Sequence, residues 1–230
     1  MRREFFAIVN PAAGGGRSAK LAGPALAGLR EKGLKIDVLA STGPGHAVEL
    51  AREAYQQDYR RFIAVGGDGT AHEILNGVFG SARGKERIAL GFLPLGTGNS
   101  FLRDFTKDGA DASLAALIEG RTRAVDLIRL KHTKGEIYSF NLLSLGFTAD
   151  VGSLTNRYFK PFGYLGYLLG VFVRVVQLRR RSFRLRCDED ANFDDSRCLF
   201  LSFSNTKFTG GTMLIAPQAD PTDGLIEFVR

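Results

Sequence analysis

A chain of 230 residues with 44% hydrophobic and 24% charged side chains has room for one large domain or two small ones, in the balance of a soluble globular protein. The apolar run at 5–9 is too short for a signal-peptide core, and the longest apolar stretch, 161–173, falls short of the ~20 residues a spanning helix needs. The expectation is a cytoplasmic protein, soluble or held at a membrane surface. Cys187 and Cys198 read as free thiols in a reducing cytosol, and no Cys/His spacing suggests a metal. The net charge of +7 is gathered in one place: eight basic and no acidic residues lie between Arg157 and Arg186. An acidic partner surface, anionic lipid or nucleic acid, is implied there.

The first half alternates strand and helix patterns. Apolar runs at 5–9, 34–40, 61–65 and 88–93 predict strands. Leu21, Ala22, Ala25, Leu26 and Leu29 recur at helical spacing between the first two, and 47–55, 70–79 and 110–120 predict further helices. This alternation implies an α/β domain with a mostly parallel sheet covered on both faces. From about residue 123 the pattern changes. Segments 123–130, 137–144, 183–187, 198–204 and 225–229 are strand-like, interrupted by one helical pattern at 158–178. A nucleotide-binding domain over 1–126 and a β-rich, sandwich-like domain over 127–230 are therefore expected.

Glycine-polar turns follow the strands of the first half. Gly66-Gly67-Asp68-Gly69-Thr70 stands directly after one strand and opens a helix. A strand, a glycine turn and a helix start form an anion site, because backbone N–H groups point outward and the helix dipole favours negative charge. An aspartate there would repel phosphate unless it accepts a proton from an attacking hydroxyl or helps hold Mg2+. Taken alone, the turn reads equally as a tight βα turn with Asp68 as N-cap. Asn10-Pro11-Ala12-Ala13-Gly14-Gly15-Gly16-Arg17-Ser18, Ser41-Thr42-Gly43-Pro44-Gly45-His46 and Pro94-Leu95-Gly96-Thr97-Gly98-Asn99-Ser100 close the other strands. All four turns fall at the C-terminal strand ends, where open α/β sheets bind ligands. Together they describe a nucleotide cleft. Neither the Rossmann fingerprint nor the Walker loop is present.

These motifs resemble, in order and spacing, the diacylglycerol kinase catalytic domain that bacterial lipid kinases and sphingosine kinases share. The resemblance runs on through Asn141, the stretch Gly146-Phe147-Thr148-Ala149-Asp150-Val151, Gly210-Gly211, Ala216-Pro217 and Asp223-Gly224. It implies two domains, ATP in the cleft and a lipid hydroxyl as acceptor, diacylglycerol or a related lipid, with Mg2+ as cofactor. By position it implies nucleotide contacts from Asn10, Thr42, Gly66, Gly67, Asp68, Gly69, Thr70, Gly96, Thr97 and Asn99. Asp68 would stand at the phosphoryl-transfer centre. Glu73 and Asn76 would brace the helix after the glycine turn, or be ordinary helix surface. Asp220, Asp223 and the Leu225 carbonyl match a structural Mg2+ loop of bacterial members, or form an ordinary Asp-Gly turn.

Three departures qualify the resemblance. Ser100 stands where many bacterial members carry aspartate, with Asp104 one helical turn further as a possible substitute. Gly152 stands where sphingosine kinases carry a head-group aspartate, against a long-chain-base substrate. The family's late acidic motif would lie beyond Arg230, so the sequence is expected to be a fragment or a shortened member that binds nucleotide and phosphorylates lipid weakly. The basic segment 157–186 carries Gly163, Gly166, Gly170, Arg174, Gln177 and Arg181 on one helical stripe beside an apolar face. It reads as a core helix with solvated arginines or as a surface that meets an anionic bilayer. No nucleic-acid reader pattern accompanies it, so nucleic acid is not an expected partner. His46, His72 and His132 read as surface or loop residues. Two rival functions remain: an NAD-kinase-like small-molecule kinase, and an inactive homologue that binds lipid or nucleotide. Nothing in the sequence sets an oligomeric state.

Overall fold

The structure, a computed structural model, describes residues 4–81, 87–146, 181–188 and 192–230. The expected helix over 158–178, the basic residues up to Arg180 and the Gly152 position lie outside the described residues. The chain divides into two compact units, Met1–Asn141 with Asn205–Leu225, and Leu142–Ser204 with Ile226–Arg230. The division is discontinuous, whereas the sequence suggested a linear one at 126/127. Residues 205–225 return to the first unit.

In the first unit, β1 (Phe5–Val9), β2 (Ile36–Ala40), β3 (Arg61–Gly66) and β4 (Ala89–Pro94) form a wholly parallel sheet in the order β2-β1-β3-β4. Side chains alternate between its faces with period two. Phe6, Ile8, Phe62 and Ala64 pack with α2 (His46–Gln56) and α3 (Asp68–Phe79). Ala7, Val9, Ile63, Val65 and Leu93 pack with α1 (Arg17–Glu31) and α4 (Gly109–Glu119). Burial on both faces explains why the central strands read as continuous apolar runs. Helix α4 ends as its sequence suggests, with Gly120 left-handed at φ 66°.

The strand-like segment 123–130 yields only β5 (Ile128–His132), paired antiparallel with β6 (Gly135–Ser139). The run 137–144 is split between β6 and β7 (Leu142–Gly146), because Phe140 turns into the core beside Phe92 and Phe101. In the return segment, β11 (Phe208–Thr209) and β12 (Met213–Leu214) make a short hairpin. Asn205, nearly fully buried, ties this segment down: its amide donates to the carbonyls of Asp126 (2.8 Å) and Phe140 (2.9 Å).

The second unit is antiparallel. Its main sheet runs β13 (Glu227–Val229), β10 (Phe200–Ser204), β7, with Phe203 against Phe228. Strands β8 (Arg181–Ser182) and β9 (Arg197–Cys198) pair separately, and an isolated bridge joins Leu185 to Asp194. The expected α/β domain followed by a β-rich domain is what the chain forms. Among the described residues no helix is long and apolar enough to cross a membrane.

Ile63 is fully buried in the centre of the parallel sheet, whereas Ile118 on α4 is 42% exposed. Ile63→Ala should cost about 2–5 kcal/mol in urea denaturation, and Ile118→Ala about 1 kcal/mol or less.

Candidate functional site

The chain crosses from one side of the sheet to the other between β1 and β3, which lie side by side. Open α/β sheets bind ligands at such a switch point, beyond the strand C-termini. The turns after all four strands gather at this edge, since every strand of the sheet points the same way.

The first turn is a run of three left-handed glycines, Gly14 (φ 62°), Gly15 (66°) and Gly16 (90°), leading into α1. Successive left-handed residues are easy only for glycine. Asn10 organises the turn: its side-chain oxygen accepts from the Ala12 N–H (3.1 Å) and its amide donates to Thr70 Oγ1 (3.3 Å). Asn10 and Thr70, both candidate nucleotide contacts, are thus neighbours although 60 positions apart. Arg17, not among the expected nucleotide contacts, spans to the fourth turn: its guanidinium donates to the Gly96 carbonyl (3.0 Å) and more weakly to that of Leu95 (3.5 Å).

The third and fourth turns meet backbone to backbone. A Cβ placed on Gly67 would lie 3.2 Å from the Gly96 Cα, and one on Gly96 would collide with the Gly67 backbone. Asn99, left-handed at φ 50°, holds the fourth turn by donating from its side chain to the carbonyls of Pro94 (3.2 Å) and Gly96 (3.1 Å). Thr97 at the tip of this turn and Gly69 in α3 are exposed.

Asp68 does not act as an N-cap. Gly67 holds that place, and Asp68 is the first residue of α3. Its carboxylate reaches across to the fourth turn, where Oδ2 accepts from the Ser100 N–H (2.8 Å) and Oδ1 from the Phe101 N–H (3.3 Å). These N–H groups start a short 3-10 helix, Phe101–Asp104. An ionised carboxylate offers about four acceptor positions, so these two bonds leave capacity for a hydroxyl or a cation.

Glu73 and Asn76 are braces, not plain helix surface. Glu73 Oε2 accepts from the Gly45 (3.1 Å) and Ala47 (3.2 Å) N–H groups, which caps α2 from a neighbouring helix. Asn76 donates to the Tyr138 carbonyl (2.9 Å) and accepts from the Tyr138 N–H (2.9 Å), fastening α3 to β6. His132 is exposed as expected, whereas His46 and His72 have structural roles. His46 Nδ1 accepts from the Thr42 N–H (3.0 Å) and lies 3.0 Å from its hydroxyl, so it shapes the second turn. His72 is half-buried in α3 beside Asn76, and burial lowers its pKa against the opposing pull of Glu73.

Ser100 and Asp104 both face the return segment. Ser100, 2% exposed, accepts from the Gly211 N–H through Oγ (2.8 Å). Asp104 Oδ1 accepts from the Lys207 N–H (3.0 Å), while its Oδ2 is buried with no hydrogen-bond partner among the described residues. Burial raises the Asp104 pKa, the Lys207 N–H and charge oppose the rise, and Asp220 adds to it.

The candidate Mg2+ loop is a hydrogen-bonded turn. Asp220 Oδ1 accepts from the Thr222 N–H (2.9 Å) and hydroxyl (2.7 Å), which lower its pKa. Asp223 Oδ1 accepts from the Leu225 N–H (2.9 Å), and Asp126 Oδ2 accepts from the Gly224 N–H (2.7 Å). Carboxylates and a carbonyl are donors that Mg2+ accepts, so the chemistry fits. Among the described residues, however, no three His, Cys, Asp or Glu side chains stand together as a ready-made metal cluster.

The profile of the diacylglycerol kinase catalytic domain matches residues 4–130, and that of the YegS C-terminal NAD kinase beta sandwich-like domain matches residues 141–229. A Mycobacterium tuberculosis protein named diacylglycerol kinase is 30% identical over 224 residues, spanning 96% of this chain and 71% of its own length. A Cronobacter sakazakii protein named probable lipid kinase YegS-like is 30% identical over 201 residues, spanning 86% of this chain; the match spans 65% of that relative, just under two thirds. The crystal structure of a putative diacylglycerol kinase from Bacillus anthracis superposes with a TM-score of 0.71 at 21% identity, covering 98% of this chain and 72% of that one. At that identity the last match speaks for the fold.

Glu73→Ala uncaps α2 and should destabilise the protein by about 1–2 kcal/mol. Urea denaturation measures the loss, and faster amide exchange confined to residues 45–47 would locate it at this cap.

Proposed function

Because the chain belongs to the diacylglycerol kinase catalytic-domain family, we propose that it is an ATP-dependent lipid kinase, transferring the terminal phosphoryl group of Mg2+-ATP to the hydroxyl of diacylglycerol or a related lipid. The observation that carries this reading is the gathering of four polar turns on one edge of a parallel sheet, with Asp68 in the third bonded to the fourth.

Phosphoryl transfer asks a protein mainly to position reactants and neutralise charge. The left-handed glycines at 14–16 let a phosphate approach the backbone closely, and the start of α1, with no acidic residue in its first turn, offers it the positive end of a helix dipole. Asn10 and Thr70 hold the first and third turns in register, while Arg17 and the Gly67–Gly96 contact hold the fourth. Thr42, Gly66, Gly69, Gly96, Thr97 and Asn99 complete the proposed nucleotide contacts. Asp68, anchored on Ser100 and Phe101, uses its remaining acceptor positions to orient the lipid hydroxyl and receive its proton, or to hold Mg2+. Mg2+ supplies the charge neutralisation between phosphates when bound. A second Mg2+ at Asp220, Asp223 and the Leu225 carbonyl belongs to the same proposal. The basic segment 157–186 is proposed to meet anionic membrane, each charge contributing ~1 kcal/mol near the surface. Of the segment's basic residues, Arg181 lies in β8, and Arg184 and Arg186 stand over the Phe193 ring at 4.2 and 5.2 Å.

Incubating the protein with γ-labelled ATP and mixed lipid vesicles should give labelled lipid. Transfer to NAD, or ATP consumption that lipid does not stimulate, would reject the proposal. Asp68→Asn sets an amide donor against one of two N–H groups. It should lower stability by about 1–3 kcal/mol and remove most of the lipid phosphorylation. Near-normal turnover by the folded variant would remove Asp68 from the centre. Neutralising Arg179, Arg180 and Arg181 should weaken binding to anionic vesicles at low salt and matter less at high salt.

A further inference from the structure

We propose that Asp104 is a positioning residue for the phosphate edge: it anchors the base of the β11–β12 hairpin so that Gly210-Gly211 at the tip closes against Gly98 and Ser100. The proposal rests on the nucleotide reading of that edge.

The backbone of Lys207 is the pivot. Its carbonyl accepts from Ile215 (2.9 Å) and Ala216 (3.3 Å), closing the base of the hairpin, and its N–H goes to Asp104 Oδ1 at 3.0 Å. At the tip, Gly210 and Gly211 are left-handed at φ 58° and 98°, and the Gly211 N–H donates to the buried hydroxyl of Ser100. The tip lies directly on the fourth turn: a Cβ on Gly98 would sit 3.5 Å from the Gly211 nitrogen and 3.7 Å from Asp68 Oδ2. The hairpin is therefore held at two points on the 94–104 segment, and one of them, Ser100, also donates its N–H to the Asp68 carboxylate proposed to act in transfer. Of the two, the Ser100 bond is neutral. The Asp104 bond has a carboxyl acceptor, which is the stronger kind when ionised.

Packing does not explain this carboxyl. Its second oxygen is buried without a partner among the described residues, which an apolar side chain would avoid, and burial opposes its charge. Nor is Asp104 free to stand in for an aspartate at the Ser100 position, since its bonded oxygen is directed to Lys207. It acts through the hairpin, fixing where the Gly210-Gly211 backbone sits beside the turn that carries Thr97 and Asn99.

The test compares the wild type with Asp104→Ala, Asp104→Asn and Asp104→Glu. Its readouts are Mg2+-ATP affinity by calorimetry, the separate KM for ATP and kcat on lipid vesicles, thermal melting, and amide exchange at 207–211. D104A should raise the Kd and the KM for ATP about tenfold and speed exchange at 207–211. D104N keeps an acceptor for Lys207 and should stay within about threefold of wild type. D104E keeps the charge but displaces the hairpin, and should raise the KM with little change in melting; it decides the matter if D104A does not fold. Unchanged affinity and exchange in D104A or D104E would overturn the proposal. So would a loss of kcat and melting temperature with KM unchanged, the signature of a merely structural role. A wild-type chain that binds no Mg2+-ATP would overturn the nucleotide reading and this proposal with it; in the other failures the wild type binds.

Discussion

Two backbones meet at the sheet edge with no side chain between them, Gly67 after β3 and Gly96 after β4. Most of the candidate site depends on that approach. With the turns in contact, the Gly96 N–H reaches the Gly66 carbonyl (2.9 Å) and Asp68 reaches the N–H groups of Ser100 and Phe101. Arg17 can then span from α1 to the Gly96 carbonyl. Any side chain at either glycine would wedge the turns apart and strand these donors and acceptors. An unmade buried hydrogen bond costs more than a made one gains, so the contact is enforced by everything built on it.

The second constraint is the bracing of helices that start at the site. An α-helix leaves its first N–H groups without partners. At α1 the N–H groups of Gly16 to Ala19 close on carbonyls of the 12–16 turn, and at α3 those of Thr70 and Ala71 close on the Gly67 carbonyl, whereas at α2 the Glu73 carboxylate takes the amides of Gly45 and Ala47. One helix start is thus closed by the protein's own anion, while α1, with no acidic residue in its first turn, keeps the positive end of its dipole for a ligand's. Asn76 and Asn205 do for the frame what Glu73 does for α2. Each uses one side-chain amide to satisfy backbone groups from distant parts of the chain.

The α/β half was legible in the sequence because each local signal agreed with the fold. Apolar runs marked β1, β3 and β4, helical spacing marked α1 to α4, and Gly120 marked a helix end. The β-rich half was legible in kind but not in detail. Phe140 continues an apolar strand pattern, yet it breaks the strand to reach the aromatic cluster of Phe92 and Phe101, a tertiary preference that local pattern does not carry. The turns of the site were visible as glycine clusters. What Asp68 and Glu73 bond, and that Asn76 reaches Tyr138, was not, because these partners lie 26 or more positions away. Asp104 and Ser100 were visible as departures from a motif, but their partners Lys207 and Gly211 come from a segment that read as part of another domain.

The central claim is that these turns form one nucleotide-phosphate cradle. Titrating the 15N-labelled protein with Mg2+-ATP and following its amide resonances tests it most directly. The account predicts saturable shifts that cluster at residues 10–17, 41–46, 66–70 and 96–101, with weaker changes at 207–211. Saturable shifts elsewhere that leave the residues around Gly67 and Gly96 unmoved would contradict it.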